Sequence, residues 1–247
     1  MLRLRGISNR IHKEHLQALP TEERDAHIYL LAWAGGCFDA ISFLGLGRVF
    51  PANMTGNTVL LGINLARLEF PAILRTAIAL LGFCLGVFIC TLITERGRGR
   101  SGWIPHITTA MVTEFVVLLI FASAWLLTGT KPSANAVDVM IVLAAIAMGL
   151  QSTIVRYYGL AGITTTYITG TLTSFFAGIA QRVRPVTHVP QEDASPKKQL
   201  LHVQALMWGI YLFATVAGAV GEEHFPVAVI WLPIAAVALV ALDLVFR

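Results

Sequence analysis

The chain alternates long apolar runs with short polar ones. Six runs reach the length that a helix needs to cross a hydrocarbon core: Ile28–Leu46, Pro71–Thr94, Pro105–Leu127, Val137–Tyr157, Leu201–Val220 and Pro226–Phe246. None shows the period-2 alternation of a membrane strand, so each predicts a helix. Two shorter apolar runs stand apart. Thr58–Ala66 and Leu172–Ala180 carry no charge, and each follows a Thr-Gly pair in a polar box, Asn53-Met-Thr-Gly-Asn57 and Tyr167-Ile-Thr-Gly-Thr171. As helices these runs span only about 14 Å, half the core. Pro51 precedes the first box, and the successive threonines Thr164 to Thr166 precede the second. The pattern predicts an all-α, polytopic membrane helix bundle with about six spanning helices plus two broken or re-entrant helices.

The two boxes lie in blocks that align on one another. Gly35–Arg67 superposes on Gly149–Gln181, matching Gly35 with Gly149, Gly45-Leu46 with Gly159-Leu160, Thr55-Gly56 with Thr169-Gly170, and Ala66 with Ala180. This predicts a two-fold internal repeat, with halves at about 28–128 and 137–246 of a single membrane domain, 28–247. If both short elements return to the side they entered from, each half contributes three spans and the halves are inverted. If both cross, eight spans alternate and the halves are parallel. The positive-inside rule puts the N-terminus in the cytoplasm in both arrangements and leaves both open. Re-entrance is preferred because it keeps Arg96-Gly-Arg-Gly-Arg100 inside and suits the short elements.

The ends and loops fit the same frame. Residues 1–27 mix both charge signs and read as a cytoplasmic tail, in which Ile7, Ile11, His15 and Leu19 fit either a surface amphipathic helix or an ordinary solvated segment. The first apolar run lacks a small-x-small cleavage pattern and reads as an anchor. The basic loop 181–200, with Pro185, Pro190 and Pro196, is the expected flexible cytoplasmic linker. Both termini are expected in the cytoplasm.

Composition agrees and narrows the chemistry. Apolar residues are 56% of 247, charged residues 13%, and the mean hydropathy is +0.71, well outside the range of soluble domains. The net charge of +4 reads as membrane orientation and gives no reason to invoke nucleic acid. Cys37, Cys84 and Cys90 fall inside apolar runs without metal-ligand spacing and read as buried small hydrophobes. Neither a His-Glu-x-x-His helix nor a Gly-x-Ser-x-Gly elbow is present. No enzyme, cofactor or metal is expected.

The candidate site consists of polar residues that hydrocarbon does not tolerate. Asp39 lies about 16 Å along its helix from Ile28, where a carboxylate costs roughly 2.5–3.5 kcal/mol. Gly35 and Ser42 share its face. It reads as a proton- or cation-coupling carboxylate or a substrate ligand, or as a lock between two helices. Glu114 reads as a second coupling carboxylate or as the partner of a hydroxyl. On the fourth long run Ala145, Gly149, Ser152 and Arg156 fall on one face, with Gln151 on an adjacent strip. Arg156 either snorkels to the headgroups or balances Asp39 or an anionic solute. The boxes supply Asn53, Thr55, Gly56, Asn57 and Thr58, then Thr166, Thr169, Gly170, Thr171 and Thr173. A short helix starting at each Thr-Gly aims free amides and a positive dipole end at the membrane centre, where polar or anionic groups bind. Tight helix packing is the alternative role for the same small residues, and the default for Gly82 and Gly86.

The run Ala34-Gly-Gly-Cys-Phe-Asp-Ala-Ile-Ser-Phe43 followed by Phe50-Pro-Ala-Asn-Met-Thr-Gly-Asn-Thr58 closely resembles the YoaK-like family of uncharacterised bacterial membrane proteins, a domain of unknown function. The family pattern is met at Gly36, Asp39 to Ser42 and Phe50 to Asn57. Its second-half pattern is met at Gly149, Gln151, Arg156, Thr165, Thr166 and Thr169 to Thr171. The resemblance covers the membrane region and implies an inner-membrane protein of about six helices, with no established substrate or reaction. The expected function is secondary transport of a small polar or anionic solute, with proton coupling through Asp39. The alternative is a membrane scaffold or assembly factor whose polar residues only hold helices together. The expected partners are the lipid bilayer, an unknown small solute and, as an option, a second copy of the chain.

Overall fold

A computed structural model describes residues 21–95, 103–129, 132–158, 168–183 and 194–246. Eight helices form among the described residues: α1 Thr21–Gly45, α2 Met54–Arg67, α3 Phe70–Glu95, α4 Trp103–Thr128, α5 Ala134–Tyr157, α6 Ile168–Val183, α7 Ala194–His224 and α8 Trp231–Val245. Five of them, α1, α3, α4, α5 and α7, are long and apolar enough to cross a membrane. The shorter α8 starts later than its apolar run, with Pro233 in its first turn, where a missing N–H is tolerated. Hydrogen-bonded turns through Phe225–Leu232 lead into it.

Residue pairs across the bundle fix the helix directions. α1 and α7 run parallel, since Gly36 abuts Tyr211 and Gly45 abuts Glu222. α3 and α5 are also parallel, joined by Arg75–Asp138 near their starts and Thr94–Tyr157 near their ends. α1 opposes α5 and α8: His27, near the start of α1, meets Tyr158, just past α5, and Asp243, near the end of α8. α4 runs with α1, because Phe38 packs edge-on against Phe121 and Gly45 lies against Trp125. The Trp125 indole donates to the Pro226 carbonyl and the Thr108 hydroxyl to the Leu244 carbonyl, so α8 returns along α4.

It follows that α1 ends and α3 begins on one face of the bundle, whereas α5 ends and α7 begins on the other. The two short helices therefore do not cross. The chain leaves α2 through a left-handed residue, Leu68 at φ 56°, whose N–H bonds back to Asn64 and Leu65, and enters α3 after two residues. Exchanging α1 with α5, α2 with α6, α3 with α7 and α4 with α8 carries the α1–α7 packing onto α3–α5, α2–α3 onto α6–α7, and α4–α5 onto α1–α8. α1 and α5 are the central helices, each with 67% of its apolar window buried against 28% for α3 and α7.

Close approach sets the two parallel pairs. A Cβ on Gly86 would lie 2.1 Å from the Ile146 carbonyl oxygen, and one on Gly36 2.6 Å from that of Tyr211. In lipid, van der Waals packing of this kind, and not the hydrophobic effect, holds helices together.

Some expected boundaries and placements differ. α1 begins at Thr21, so Glu22 to His27, read as tail, are helical, and Asp25 and His27 are buried. α7 begins at Ala194, inside the stretch read as a flexible loop. Cys37 and Cys90 are buried as expected, but Cys84 is exposed on the outer face of α3. The Ile7 to Leu19 segment, the Arg96 to Arg100 cluster, Gly159-Leu160, Thr164 to Thr166, and Pro185 and Pro190 lie outside the described residues.

Candidate functional site

After α1 ends at Gly45 the chain turns back into the bundle. Gly47 and Arg48 take left-handed conformations, at φ 81° and 64°. The segment then descends past Phe50, whose ring stacks on Phe43, to reach the level of Asp39, about 9 Å inside the end of α1. There the Asp39 carboxylate, 3% exposed, accepts from the backbone N–H of Ala52 at 2.8 Å and of Asn53 at 3.3 Å. Its second oxygen accepts from the Tyr211 hydroxyl at 2.5 Å. Hydrogen bonds to a charged group contribute about 1.5–3 kcal/mol each, so three of them offset the insertion cost of the carboxylate.

The first box is held from within. Asn53 caps α2, its side chain accepting from the Gly56 N–H at 3.1 Å. Asn57, fully buried, accepts from the Phe50 N–H at 2.9 Å and donates to the Phe50 carbonyl at 2.6 Å, closing the re-entrant loop with a two-point amide contact. Thr58 donates to the Met54 carbonyl, while the Thr55 side chain is exposed. α2 thus starts beside Asp39 and runs outward. Asp39 sits at its amino end, bonded to the amides of Ala52 and Asn53 that lead into the helix.

The second box is less fully described. Thr166 lies outside the described residues, while Thr169 is exposed at the start of α6 and Thr171 is buried. The Thr173 hydroxyl donates to the Thr169 carbonyl. Gly170 is half-buried in the first turn. Gln151 is fully buried on α5, and its amide donates to the Leu31 carbonyl of α1 at 2.9 Å. Arg156 is exposed in the last turn of α5, and the Tyr158 that follows it meets His27 near the start of α1, far along that helix from Asp39, so Arg156 does not balance that carboxylate. Ser42 is fully buried next to the Asp39 turn, its hydroxyl without a hydrogen-bond partner among the described residues. Glu114 is fully buried on α4, and neither carboxylate oxygen has a partner there. Its sequence neighbours Thr109 and Thr113 face outward and bond their own helix.

The model of the family described as "Protein of unknown function (DUF1275)" matches residues 27–242. The chain belongs to this family. It is also 33% identical over 211 residues to UPF0700 transmembrane protein YoaK of Bacillus subtilis (strain 168), covering 85% of this chain and 89% of that protein. No solved structure matches it.

Two features of this DUF1275 member escape a reading of its sequence. Tyr211, which completes the Asp39 site, sits in the α7 run among apolar residues. Its signal is a phenol in mid-span, a group that seeks a partner when buried. His27 is 5% exposed and links three helices, contacting Asp243 at 2.9 Å and Tyr158 at 3.2 Å. Those residues lie beyond or at the very ends of the apolar runs, where charge is ordinary and no sequence signal separates a clasp from a solvated group.

Proposed function

We propose that this chain is a membrane carrier for a small polar solute, with halves of opposite orientation rocking about the two breaks where α2 and α6 begin. The observation that carries the reading is the loop 46–53, which brings irregular backbone to the level of Asp39. Non-helical chain at membrane depth is tolerated where it is enclosed by protein or lines an aqueous cavity, and carriers build their sites at such breaks. Asp39, Ser42, Asn53, Thr55, Gly56 and Asn57 form the α2 side of this site, and Thr166, Thr169, Gly170 and Thr171 the α6 side. An anionic solute is met at α6, whose first turn has no acidic residue. The protein acts without chemical conversion in the bacterial inner membrane, with both termini in the cytoplasm.

The test is reconstitution of the purified full chain into vesicles with a trapped pH dye. Panels of amino acids, polyols, nucleosides and carboxylic acids are then presented outside. Solute-dependent pH change that disappears in Thr55→Val supports the carrier. Absence of any such change, together with no solute-induced rise in thermal stability, overturns it.

A second reading has its own observation. Asp39, Asn53 and Asn57 all direct their hydrogen bonds to the chain itself, which is what a scaffold or assembly factor requires. On that reading Thr55→Val is silent, and Asp39→Asn lowers expression or self-association without altering any flux.

A further inference from the structure

Glu114 has no role in the loop geometry described above, yet it is fully buried and, among the described residues, both of its carboxylate oxygens are without a hydrogen-bond partner. It lies in the buried stripe of α4 with Ala110, Met111, Leu118 and Phe121, all at 0% exposure. A bare carboxylate in such surroundings carries a prohibitive desolvation cost. Only a protonated acid or a bound cation satisfies it, and the apolar lining gives no oxygen cage for a metal ion.

A second unsatisfied atom lies at the same level. α1 and α4 run parallel, and Phe38 packs on Phe121. Two helical turns back along each helix from that contact stand Leu31 and Glu114. The Leu31 carbonyl receives the Gln151 amide N–H, and the Gln151 Oε1 is buried without a partner among the described residues. α4 packs on α5, which carries Gln151. The titratable neighbour at this level is Cys90 of α3, also fully buried, within electrostatic reach of Glu114. α1 and α8 present Leu31, Val237 and Val240 here, all apolar.

We propose that Glu114 is the proton-carrying carboxyl of this protein, paired with the Gln151 amide oxygen as the acceptor for its O–H, while Asp39 serves as the fixed post of the re-entrant loop. The proton is bound and released as a whole, with no other bond formed or broken. The use of this proton in transport rests on the carrier reading; its presence on Glu114 does not.

Infrared difference spectroscopy of the reconstituted full chain, cycled between acid and alkaline buffer in H₂O and D₂O, separates the two. The expected result is a carboxylic-acid carbonyl band that shifts in D₂O, is lost in Glu114→Gln, moves in Glu114→Asp and persists in Asp39→Asn. A band absent from the unmodified protein, retained in Glu114→Gln, or insensitive to D₂O overturns the proposal. If Glu114→Gln fails to fold, Glu114→Asp and Gln151→Leu decide, since each must move the band. A positive spectrum with no solute-driven pH change in vesicles defeats the carrier reading and leaves the Glu114 assignment standing.

Discussion

The Asp39 carboxylate accepts the backbone N–H of Ala52 at 2.8 Å, tying the middle of α1 to a loop that has left the helix and come back. That single contact sets where α2 begins. The loop amides of Ala52 and Asn53 would otherwise be buried donors without acceptors, and leaving such groups unpaired costs about 1–3 kcal/mol each.

Asp39→Ala is therefore expected to destabilise more than Tyr211→Phe. The first leaves two amides and a phenol unpaired, whereas the second removes one donor, at about 1.5–3 kcal/mol. The double variant should lose less than the sum of the two, because the residues share one contact. Thermal unfolding in detergent reads all three; strict additivity would mean the Tyr211–Asp39 bond contributes nothing.

Topology is open to a chemical test in a background lacking the exposed Cys84. Single cysteines at Arg48, Glu69 and Gly129 should react with a membrane-impermeant reagent from one side, and a cysteine at Glu95 from the other. Reaction at Glu69 from the side opposite to the one that labels Arg48 would mean that α2 crosses and the halves are parallel.

Gly86, in the α3–α5 contact, and Gly62, on α2, are expected to respond in opposite ways. Gly86→Ala drives a methyl into the Ile146 carbonyl and is expected to cost about 1–3 kcal/mol. Gly62→Ala, on α2 with nothing within 4 Å of the added carbon, should be neutral or gain up to about 1 kcal/mol from helix propensity. Comparing the melting temperatures of the two variants checks this, and equal losses would count against the packing described.

His27 clasps α1 to α8 and to the end of α5. His27→Leu leaves Asp243 and Tyr158 each short of a contact, and a loss of about 1–3 kcal/mol is expected. Limited proteolysis near the α8 end should accelerate with it. An unchanged melting temperature and cleavage rate would show that the clasp carries no stability.

Much of this was already written in the chain. Apolar run length and charge spacing predict the five long helices and the region of the shorter α8, because a hydrocarbon core admits few alternatives. The nine uncharged residues after each Thr-Gly, too short to cross, predict α2 and α6 as partial elements, and an aspartate in mid-span has to meet donors. What the chain left open was direction and partnership. Inverted and parallel halves distribute the basic residues almost equally, and only pairs such as His27 with Asp243 and Arg75 with Asp138 show which ends lie together. The same holds for Asp39 and Glu114, two acids in similar apolar runs. One meets three donors from α7 and the returning loop and the other meets none among the described residues, because a carboxylate's surroundings are assembled by packing between segments far apart in sequence.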